Sequence, residues 1–276
     1  MNFLQTLKKE SERVVKLLEK FTVRLPDNAV TTAVRYSLFS GGKHLRPCIV
    51  LQAARMLGAK SNDEGIERIA AAIEMIHAYS LIHDDLPCMD DDGFRRGKPS
   101  CHKRFGEGIA VLAGDALLNL AFETLLDGKP SEHYFYAMKL IADCAGLNGM
   151  IGGQAEDISL GSKTTLSQVV SLSKKKTAAL FRASTAAAGV CLSCTDEQLV
   201  NLCVIGENFG LAFQIKDDLL DKDKDEASSF VKVLGETETY AKLDEYTGKA
   251  KKALTVFGES GGFFRELLNF NVERNA

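Results

Sequence analysis

The stretch Ile66–Asp92, "IERIAAAIEMIHAYSLIHDDLPCMDDD", joins an apolar segment to a dense run of carboxylates. Within it, apolar residues recur at the three- and four-residue spacing of an α-helix: Ile66, Ile69, Ala70, Ile73 and Ile76. The predicted helix 63–84 is apolar on more than one face, as the central helices of a bundle are. Segments 108–127 and 195–222 have the same character. The stretch therefore predicts an all-α fold in which several helices are buried.

The helical period continues along nearly the whole chain, and alternating β-branched runs are few, so strands are not expected. Helices are predicted at 2–21, 27–39, 46–57, 63–84, 108–127, 131–158, 165–190, 195–222, 237–256 and 259–270. No Pro/Gly/Ser-rich linker, repeat or low-complexity tract interrupts them. We therefore expect one all-helical domain over residues 1–276, a bundle of about ten or more helices around a central cavity.

The bulk charge excludes some classes of function. A net charge of −3 and a pI near 6.0 argue against a nucleic-acid binder with a broad basic surface. No apolar run approaches membrane-spanning length, and the first residues lack the apolar core of a signal peptide, so a cytoplasmic protein without stable membrane insertion is expected.

The seven cysteines are expected to be reduced, and the pair Cys191 and Cys194 is interpreted as two packed side chains rather than a metal or redox site.

The first group of candidate site residues lies at the end of the predicted helix 63–84. His77, Ser80 and Asp84 share one helical face. Asp90 would point elsewhere in a straight helix, so Pro87 must break or bulge the helix end if Asp90 is to return to Asp84 and share hard cations. A solvated acidic loop is the competing interpretation. It is disfavoured because these aspartates end an apolar helix.

A second acidic helix end occurs in "FGLAFQIKDDLLDKDKDE", where four polar side chains share a face: Gln214, Asp217, Asp218 and Asp221. Two acidic rims with Mg²⁺ between them would form a cradle for a polyphosphate. An EF-hand loop starting at Asp221 is excluded, because Glu226 stands where the turn needs glycine and Lys232 where it needs glutamate.

Cations accompany the carboxylates in three segments: "GGKHLRP" with Lys43 and Arg46, "FRRGK" with Arg95 and Arg96, and "KKKTAALFR" with Lys174, Lys175, Lys176, Thr177 and Arg182. Two adjacent glycines let the backbone approach a ligand, while lysine and arginine supply a point charge and a bidentate fork for phosphate. Together with two acidic helix ends, these cations indicate a site for more than one phosphorylated group.

These motifs resemble the trans-isoprenyl diphosphate synthases, most closely the bacterial farnesyl diphosphate synthase type. "GGKHLRP", "HDDLPCMDDDGFRRGKPS", "GGQAED", "KKTAALFRA" and "GLAFQIKDDLLD" occur in the family's order and near its spacings, over roughly residues 35–225. The resemblance implies a prenyltransferase that condenses isopentenyl diphosphate with dimethylallyl or geranyl diphosphate. The implied reaction is a head-to-tail, Mg²⁺-dependent sequence of ionisation, condensation and elimination.

The resemblance also implies residue roles. The implied ligands of isopentenyl diphosphate are Lys43, Arg46, His77 and Arg96. The implied Mg²⁺ ligands are Asp84, Asp90, Asp217, Asp218 and Asp221. The allylic diphosphate would be held by Arg95, Lys176 and Gln214, with Lys176 and Thr177 shielding the developing cation. The residues implied in catalysis are Asp84, Asp90, Arg95, Lys176, Thr177, Gln214 and Asp217.

Chain length in this family depends on positions four and five before the first aspartate, here Ser80 and Tyr79. A bulky Tyr79 would stop growth early, which predicts a C15 product, with C10 as an alternative. The alternative functions are therefore those of a geranyl or a geranylgeranyl diphosphate synthase. The family is usually homodimeric, and "GEGIAVLAGDALLNLAFETLL" is the candidate interface, although an ordinary core helix fits it equally.

The chain departs from the family pattern after Asp221, where a longer, lysine-containing loop is expected. Either the loop is naturally short or a segment is missing from the chain. Lys222, Lys224 or Lys232 would then take the place of the loop lysines that contact the allylic diphosphate in the family. This keeps a non-catalytic regulatory subunit open as an alternative. A metal phosphohydrolase built on His83 and Asp84 would need more histidine ligands, and a terpene cyclase would carry a different second motif.

Overall fold

The computed structural model of the chain describes residues 2–161, 164–222 and 228–275. The predicted all-α class is confirmed, because helices make up most of these residues. The helices are α1 Phe3–Thr22, α2 Ala29–Leu38, α3 Leu45–Met56, α4 Glu64–Asp84, α5 Cys101–Phe105, α6 Glu107–Leu126, α7 Glu132–Ala145, α8 Met150–Ser159, α9 Leu166–Ser173, a π-helix Lys174–Ala178, α10 Ala179–Cys191, α11 Asp196–Leu220, α12 Phe230–Leu234, α13 Glu236–Ala253, a 3-10 segment Leu254–Gly261 and α14 Gly262–Glu273.

Short polar side chains begin the central helices. The Asp63 carboxylate accepts the Ile66 backbone N–H at the start of α4. Thr195 and Gln198 form a reciprocal capping box at the start of α11. Each cap satisfies backbone donors that a helix leaves unpaired in its first turn, so these polar residues set where the apolar segments become helical.

The chain folds into two compact units. Unit 1 comprises Met1–Leu51 and Asn62–Pro130, and unit 2 comprises Gln52–Ser61 and Ser131–Ala276. The expectation of a single domain around a central cavity stays a prediction.

The core of unit 1 is built on α4, which packs against α6, α1 and α2. Ile69, Ile73 and Ile76 of α4 are fully buried, with 0% of each residue exposed. Full burial of one such side chain is worth about 1.5–3 kcal/mol, so this one helix contributes much of the unit's hydrophobic stabilisation. The two-faced apolar pattern of α4 thus has a structural cause, since helices cover it from several sides.

Helix α6 corrects one expectation from the sequence. Within the described ranges, Glu107–Leu126 alone is long and apolar enough to cross a membrane by length and composition. No such segment was expected from the sequence. Of its most apolar window, 44% is buried inside the structure, and α6 packs against α4, α2 and α5. The core helix of a globular protein has these same features.

Unit 2 is built on α11, which packs against α10 and α13. Phe181, Phe209 and Phe213 form an aromatic cluster with ring centroids 5.0–6.1 Å apart. At Gly210 of α11 a Cβ atom would stand 2.5 Å from Ala178 Cα, so only glycine permits this approach of the two backbones.

Two predicted helices are interrupted. The predicted helix 131–158 is two helices, α7 and α8, because the chain turns at Gly146–Gly149. A Cβ at Gly149 would stand 1.8 Å from the Cys144 carbonyl oxygen, so no other residue fits this turn. The predicted helix 165–190 is split by the π-helix, and α5 and α12 were not predicted.

A short antiparallel hairpin also differs from the expectation of no strands. Phe94 pairs with Pro99 and Arg95 with Lys98. Both turn residues, Arg96 and Gly97, have positive φ angles of 52° and 74°. Two consecutive positive φ values are typical of the two-residue turn that matches the twist of a hairpin. In the sequence, the Arg-Gly pair at 96–97 was the feature from which this turn could have been predicted.

Candidate active site

The end of α4 folds back so that Asp90 returns to Asp84. Pro87 follows the helix end, and the Asp90 backbone N–H donates to the Asp84 carbonyl oxygen over 2.9 Å. The Met89 N–H donates to Leu86 O over 2.9 Å within the same loop. Asp84 is partly buried and Asp90 is exposed. The bulge expected from the sequence is thus present, and it places the backbone of Asp90 against that of Asp84.

Asp85, the second residue of this aspartate pair, has a different environment. It is buried, with 2% of its surface exposed, and it accepts the Arg95 Nε–H over 3.0 Å. Burial raises the pKa of the Asp85 carboxyl, and the Arg95 guanidinium offsets part of that effect. Arg95 also donates to Asp92 over 3.1 Å. The Arg95 fork therefore ties the hairpin to α4. The role that the family resemblance implies for Arg95, as a ligand of the allylic diphosphate, stays a prediction.

Arg96, at the turn of the hairpin, reaches the two glycines before Lys43. Its guanidinium donates to the Gly41 carbonyl oxygen. A Cβ at Gly42 would stand 2.6 Å from Arg96 Cζ, and Gly42 has a φ angle of 124°. Glycine is favoured here by the backbone conformation, and its missing Cβ leaves room for the end of the arginine side chain.

His77 and Arg46 complete a group of basic side chains in unit 1. Arg46 Nη1 lies 3.3 Å from His77 Nε2. Arginine can only donate, so His77 Nε2 accepts and the ring is neutral. Burial lowers the pKa of His77 well below its ordinary value, and the charges of Arg46 and Arg96 lower it further. Because the His77 ring is neutral, it does not repel the neighbouring Arg46 guanidinium, and it adds no charge of its own to the group.

A buried hydrogen bond made by His44 of "GGKHLRP" was not assigned from the sequence. His44 Nδ1 lies 2.7 Å from Glu74 Oε1, and both side chains are 3% exposed. His44 has a φ angle of 43°, which is unusual for a residue other than glycine. The contact anchors the loop to α4 between Lys43, which is exposed, and Arg46. The only signal in the sequence was a histidine beside candidate phosphate ligands.

The predicted chain-length residues lie one turn before the aspartates. Tyr79 is 5% exposed, and its ring packs edge-on against His83 with centroids 5.8 Å apart. Burial, together with the negative charge of Asp84, raises the pKa of Tyr79 to about 12. The Ser80 hydroxyl donates to the His77 carbonyl oxygen over 2.9 Å. Tyr79 is therefore a rigid, protonated aromatic side chain.

In unit 2 the π-helix presents Lys176 and Thr177. Lys176 Nζ lies 2.6 Å from Asp157 Oδ2, and Lys175 pairs with Glu156. These two acids belong to "GGQAED", a motif that supports the family resemblance but for which no role was predicted. A Cβ at Gly153 of the same motif would stand 2.4 Å from the Lys176 backbone nitrogen, so glycine lets α8 pack onto the π-helix. Wide turns of this kind often occur at functional sites.

A chain of hydrogen bonds links the π-helix to α12. The Thr177 hydroxyl donates to Gln214 Oε1 over 2.8 Å, and Gln214 Nε2 donates to Asp218 Oδ1 over 2.8 Å. The other oxygen of Asp218 accepts the Phe230 backbone N–H over 2.6 Å. Asp218 is 6% exposed. This predicted metal ligand therefore also holds the first turn of α12 in place.

The remaining aspartates of this motif are more accessible. The Asp217 side chain is 38% exposed, and its Oδ1 accepts a hydrogen bond from Arg274 over 2.6 Å. Asp221 is exposed at the end of α11. Of the lysines considered as substitutes for the family's loop, Lys222 pairs with Glu236 over 3.2 Å, and Lys232 lies on α12. Lys224 lies outside the described residues.

The carboxylates at the end of α4 suit a small divalent cation. Among the described residues, no group of three or more His, Cys, Asp or Glu side chains is placed to hold a metal ion. Mg²⁺ requires fewer protein ligands, because it keeps several waters and uses one or two carboxylates together with substrate phosphates. Asp84 and Asp90, whose backbones are joined by a hydrogen bond, supply carboxylates of the kind that this chemistry uses.

Comparison with known proteins places the chain in a family. Residues 27–237 match the family model "Polyprenyl synthetase", which is more than half of the chain. The chain belongs to the polyprenyl synthetase family. This membership confirms the predicted enzyme class, a prenyltransferase.

Relatives of this polyprenyl synthetase include several farnesyl diphosphate synthases. That of Micrococcus luteus is 39% identical over 259 residues, which is 88% of each chain. That of Escherichia coli is 39% identical over 91% of this chain and 83% of its own. The geranylgeranyl pyrophosphate synthase of Capsicum annuum is 37% identical over 81% of this chain and 61% of its own.

Solved structures agree with these relatives. An FPP/GFPP synthase from Zymomonas mobilis matches 98% of this chain and 99% of its own with a TM-score of 0.90 and 33% identity. A geranyltransferase from Legionella pneumophila matches 99% and 97% with a TM-score of 0.92 and 32% identity. The all-α prenyl synthase fold expected from the sequence is confirmed by these similarities.

Proposed function

We propose that this polyprenyl synthetase joins isopentenyl diphosphate to dimethylallyl or geranyl diphosphate and that its main product is farnesyl diphosphate. The observation that carries the proposal lies in unit 1. There a backbone hydrogen bond joins Asp90 to Asp84 at the end of α4. Arg96 donates to the Gly41 carbonyl oxygen in the loop that contains Lys43, and Arg46 lies 3.3 Å from His77. Carboxylates that suit Mg²⁺ and cations that suit a diphosphate thus occur in one compact unit.

The isopentenyl diphosphate is bound by the basic group of unit 1: Lys43, Arg46, His77 and Arg96. Arg46 and Arg96 each offer a planar fork that matches phosphate oxygens. Neutral His77 contributes a hydrogen-bonding ring without a charge, and His44 with Glu74 holds the loop. Because this group binds through charge, its affinity for diphosphate falls as salt rises.

The allylic diphosphate is bound through Mg²⁺ and a second set of side chains. Asp84, Asp90, Asp217, Asp218 and Asp221 are the proposed metal ligands, and Arg95, Lys176 and Gln214 are the proposed direct ligands. Bound Mg²⁺ would neutralise the diphosphate and stabilise it as a leaving group. The ion pair between Lys176 and Asp157 holds the lysine in position beside Thr177.

In the reaction, the allylic carbon–oxygen bond breaks and its electron pair leaves with pyrophosphate. The double bond of isopentenyl diphosphate supplies two electrons to the allylic cation, so a carbon–carbon bond forms and the positive charge moves to the isopentenyl unit. Loss of a proton to pyrophosphate then restores a double bond. Lys176 and Thr177 line the cation's position and help to exclude water.

Tyr79 is proposed to limit the product to C15. Its ring is buried and braced by His83, so a lengthening chain cannot displace it easily. Similarity to geranylgeranyl pyrophosphate synthases of Capsicum annuum and Catharanthus roseus supports a C20 product as the second candidate.

We also propose a cytoplasmic homodimer acting as a single catalytic domain. Val111 and Leu112 of α6 are 40% and 51% exposed, so they offer an apolar surface to a second copy. The packing of α6 against α4, α2 and α5 supports a location outside the membrane, because a core helix has those neighbours.

The test uses purified protein with Mg²⁺, isopentenyl diphosphate and each allylic diphosphate, followed by pyrophosphate release and product chain length. We expect release only when both substrates are present, with farnesyl diphosphate as the main product. Release without isopentenyl diphosphate would instead identify a hydrolase. No release under any condition would identify a non-catalytic subunit.

A further inference from the structure

Arg274, which follows the end of α14 at Glu273, is fixed by several contacts in unit 2. Its Nη2 donates to Asp217 Oδ1 over 2.6 Å and to the Phe213 carbonyl oxygen over 3.1 Å. Its Nε donates to Asn271 Oδ1 over 3.0 Å. The guanidinium also stacks on the Phe213 ring, 4.4 Å from the centroid. Its side chain is only 9% exposed, so it is part of the packed structure.

Asn271 fixes the segment that carries Arg274. It is 2% exposed, and its Nδ2 donates to the Ala212 carbonyl oxygen of α11 over 3.1 Å. The same amide accepts from Arg274 through its oxygen. Arg274 is therefore held against α11 by Asn271, by the Phe213 carbonyl and by the Phe213 ring, independently of Asp217. A guanidinium held in this way is pre-organised for one carboxylate.

Asp217 is the first residue of the second aspartate pair, and its side chain stays 38% exposed. An exposed aspartate would ordinarily sample several rotamers, and ordering it on cation binding would cost conformational entropy. A charge-assisted hydrogen bond to one of its oxygens restricts that freedom. Carboxylates that bind metals are commonly oriented by such outer partners.

The arginine could also act in the opposite direction, as a cation that competes for the carboxylate. The other contacts of Arg274 argue against this. A competitor must leave when a cation arrives, yet the bonds to the Phe213 carbonyl and to Asn271 and the stacking on the Phe213 ring do not involve Asp217. Leaving would strand a nearly buried guanidinium, which is costly.

We propose that Arg274 is a positioning residue that holds the Asp217 carboxylate in the orientation in which it binds a divalent cation together with a diphosphate. The inference rests on the proposed function, because that function makes Asp217 a metal ligand. Arg274 itself touches neither the cation nor the reacting carbons.

The experiment measures cation binding without turnover. Free Mn²⁺ is followed by electron paramagnetic resonance as it is titrated into the protein with inorganic pyrophosphate. Arg274→Gln should bind Mn²⁺ about 10-fold more weakly than the unchanged protein, the lower limit for loss of an outer partner. Arg274→Lys, which keeps the charge but not the fork, should recover part of the loss.

The matched control is Arg265→Gln. Arg265 lies on α14 and donates to the Gly258 carbonyl oxygen, and no contact with Asp217 is found for it among the described residues. It should bind Mn²⁺ as the unchanged protein does. Thermal unfolding is measured for each variant, and if Arg274→Gln does not fold, Arg274→Lys alone must show weakened binding. Unchanged or tighter Mn²⁺ binding by the folded Arg274 variant would overturn the inference.

Failure of the proposed function gives a different result. If the unchanged protein forms prenyl product while Arg274→Gln binds Mn²⁺ normally, only the positioning role is rejected. If the unchanged protein neither binds Mn²⁺ with pyrophosphate nor forms product, the proposed function is rejected, and the inference with it.

Discussion

The two aspartate pairs, Asp84-Asp85 at the end of α4 and Asp217-Asp218 at the end of α11, have the same internal division. In each pair the first carboxylate stays partly accessible, whereas the second is buried at 2% and 6% exposure. Neighbouring residues of a helix point about 100° apart, so one faces the rim and the other faces packed structure. Each dipeptide therefore combines a more accessible carboxylate with a buried one that supports the packing, and Asp218, a proposed metal ligand, would serve in both ways.

The two ends differ in what holds the buried member. Asp85 is held by the Arg95 fork of a hairpin, and Asp218 by Gln214 and the Phe230 backbone N–H. An ion pair thus holds the buried member of the first pair, and neutral donors hold the buried member of the second. The difference shows that a motif's spacing does not specify which neighbour supports it.

The largest expected effect is a loss of catalytic activity when the accessible aspartate of either pair is replaced. Asp84→Asn and Asp217→Asn should each lower kcat about 10²–10³-fold, as loss of one pre-organised electrostatic group does. Their thermal midpoints should stay close to that of the unchanged protein, because both side chains are partly exposed and asparagine keeps an oxygen that can accept the hydrogen bond from Arg274. Steady-state kinetics and thermal unfolding on the same preparations check this. Full activity of either variant would contradict a catalytic role for the accessible aspartate of that pair.

The second prediction concerns stability. Asp85→Ala removes the partner of Arg95, and Asp218→Ala removes the acceptor for Phe230 and Gln214. Each should lower the free energy of unfolding by about 1–3 kcal/mol, because buried donors lose their acceptor. Urea unfolding measures the change, with Asp84→Ala as the matched control. The proposed division fails if the control is destabilised as much as the buried members.

The third prediction concerns the effect of Tyr79, one helical turn before Asp84, on product chain length. Tyr79→Ala removes the buried ring and should shift the product distribution from C15 toward C20, with pyrophosphate release retained. Chain-length analysis of extracted products checks it. Ser80→Ala is the control, because that hydroxyl donates to the His77 carbonyl of its own helix turn and adds little bulk. An unchanged distribution in Tyr79→Ala would refute this account of length control.

The smallest expected effect is a pH dependence confined to the first site. The pKa of His77 in the folded protein lies below the value near 6.5 typical of an unfolded chain. As the pH falls through about 6.5, the unfolded chain takes up a proton that the folded protein refuses, so stability is lost on acidification. His77→Asn should therefore flatten the slope of unfolding free energy between about pH 7 and pH 5. An unaltered slope would show that His77 is not the responsible group.

Local patterns accounted for most of the fold and for the family. The period of apolar residues located α4, α6 and α11 closely, because a buried helix face repeats every three or four residues whatever packs against it. Interruptions were missed at Gly149 and at the π-helix. The turn at Gly149 brings the Cys144 carbonyl oxygen too close for a Cβ, and beside the π-helix Gly153 of α8 lies against the Lys176 backbone, a contact between two segments that neither displays alone.

The sequence by itself determined the helical class, the two acidic helix ends and the chemistry of their side chains, because spacing along a helix places residues on one face. Only the tertiary structure decided which member of each aspartate pair stays accessible. It also supplied the partners that hold the sites: Glu74 for His44, Asp157 for Lys176 and Arg274 for Asp217, separated by 30, 19 and 57 residues. Contacts at such separations depend on how helices pack, and that packing leaves no periodic signal in the segments it joins.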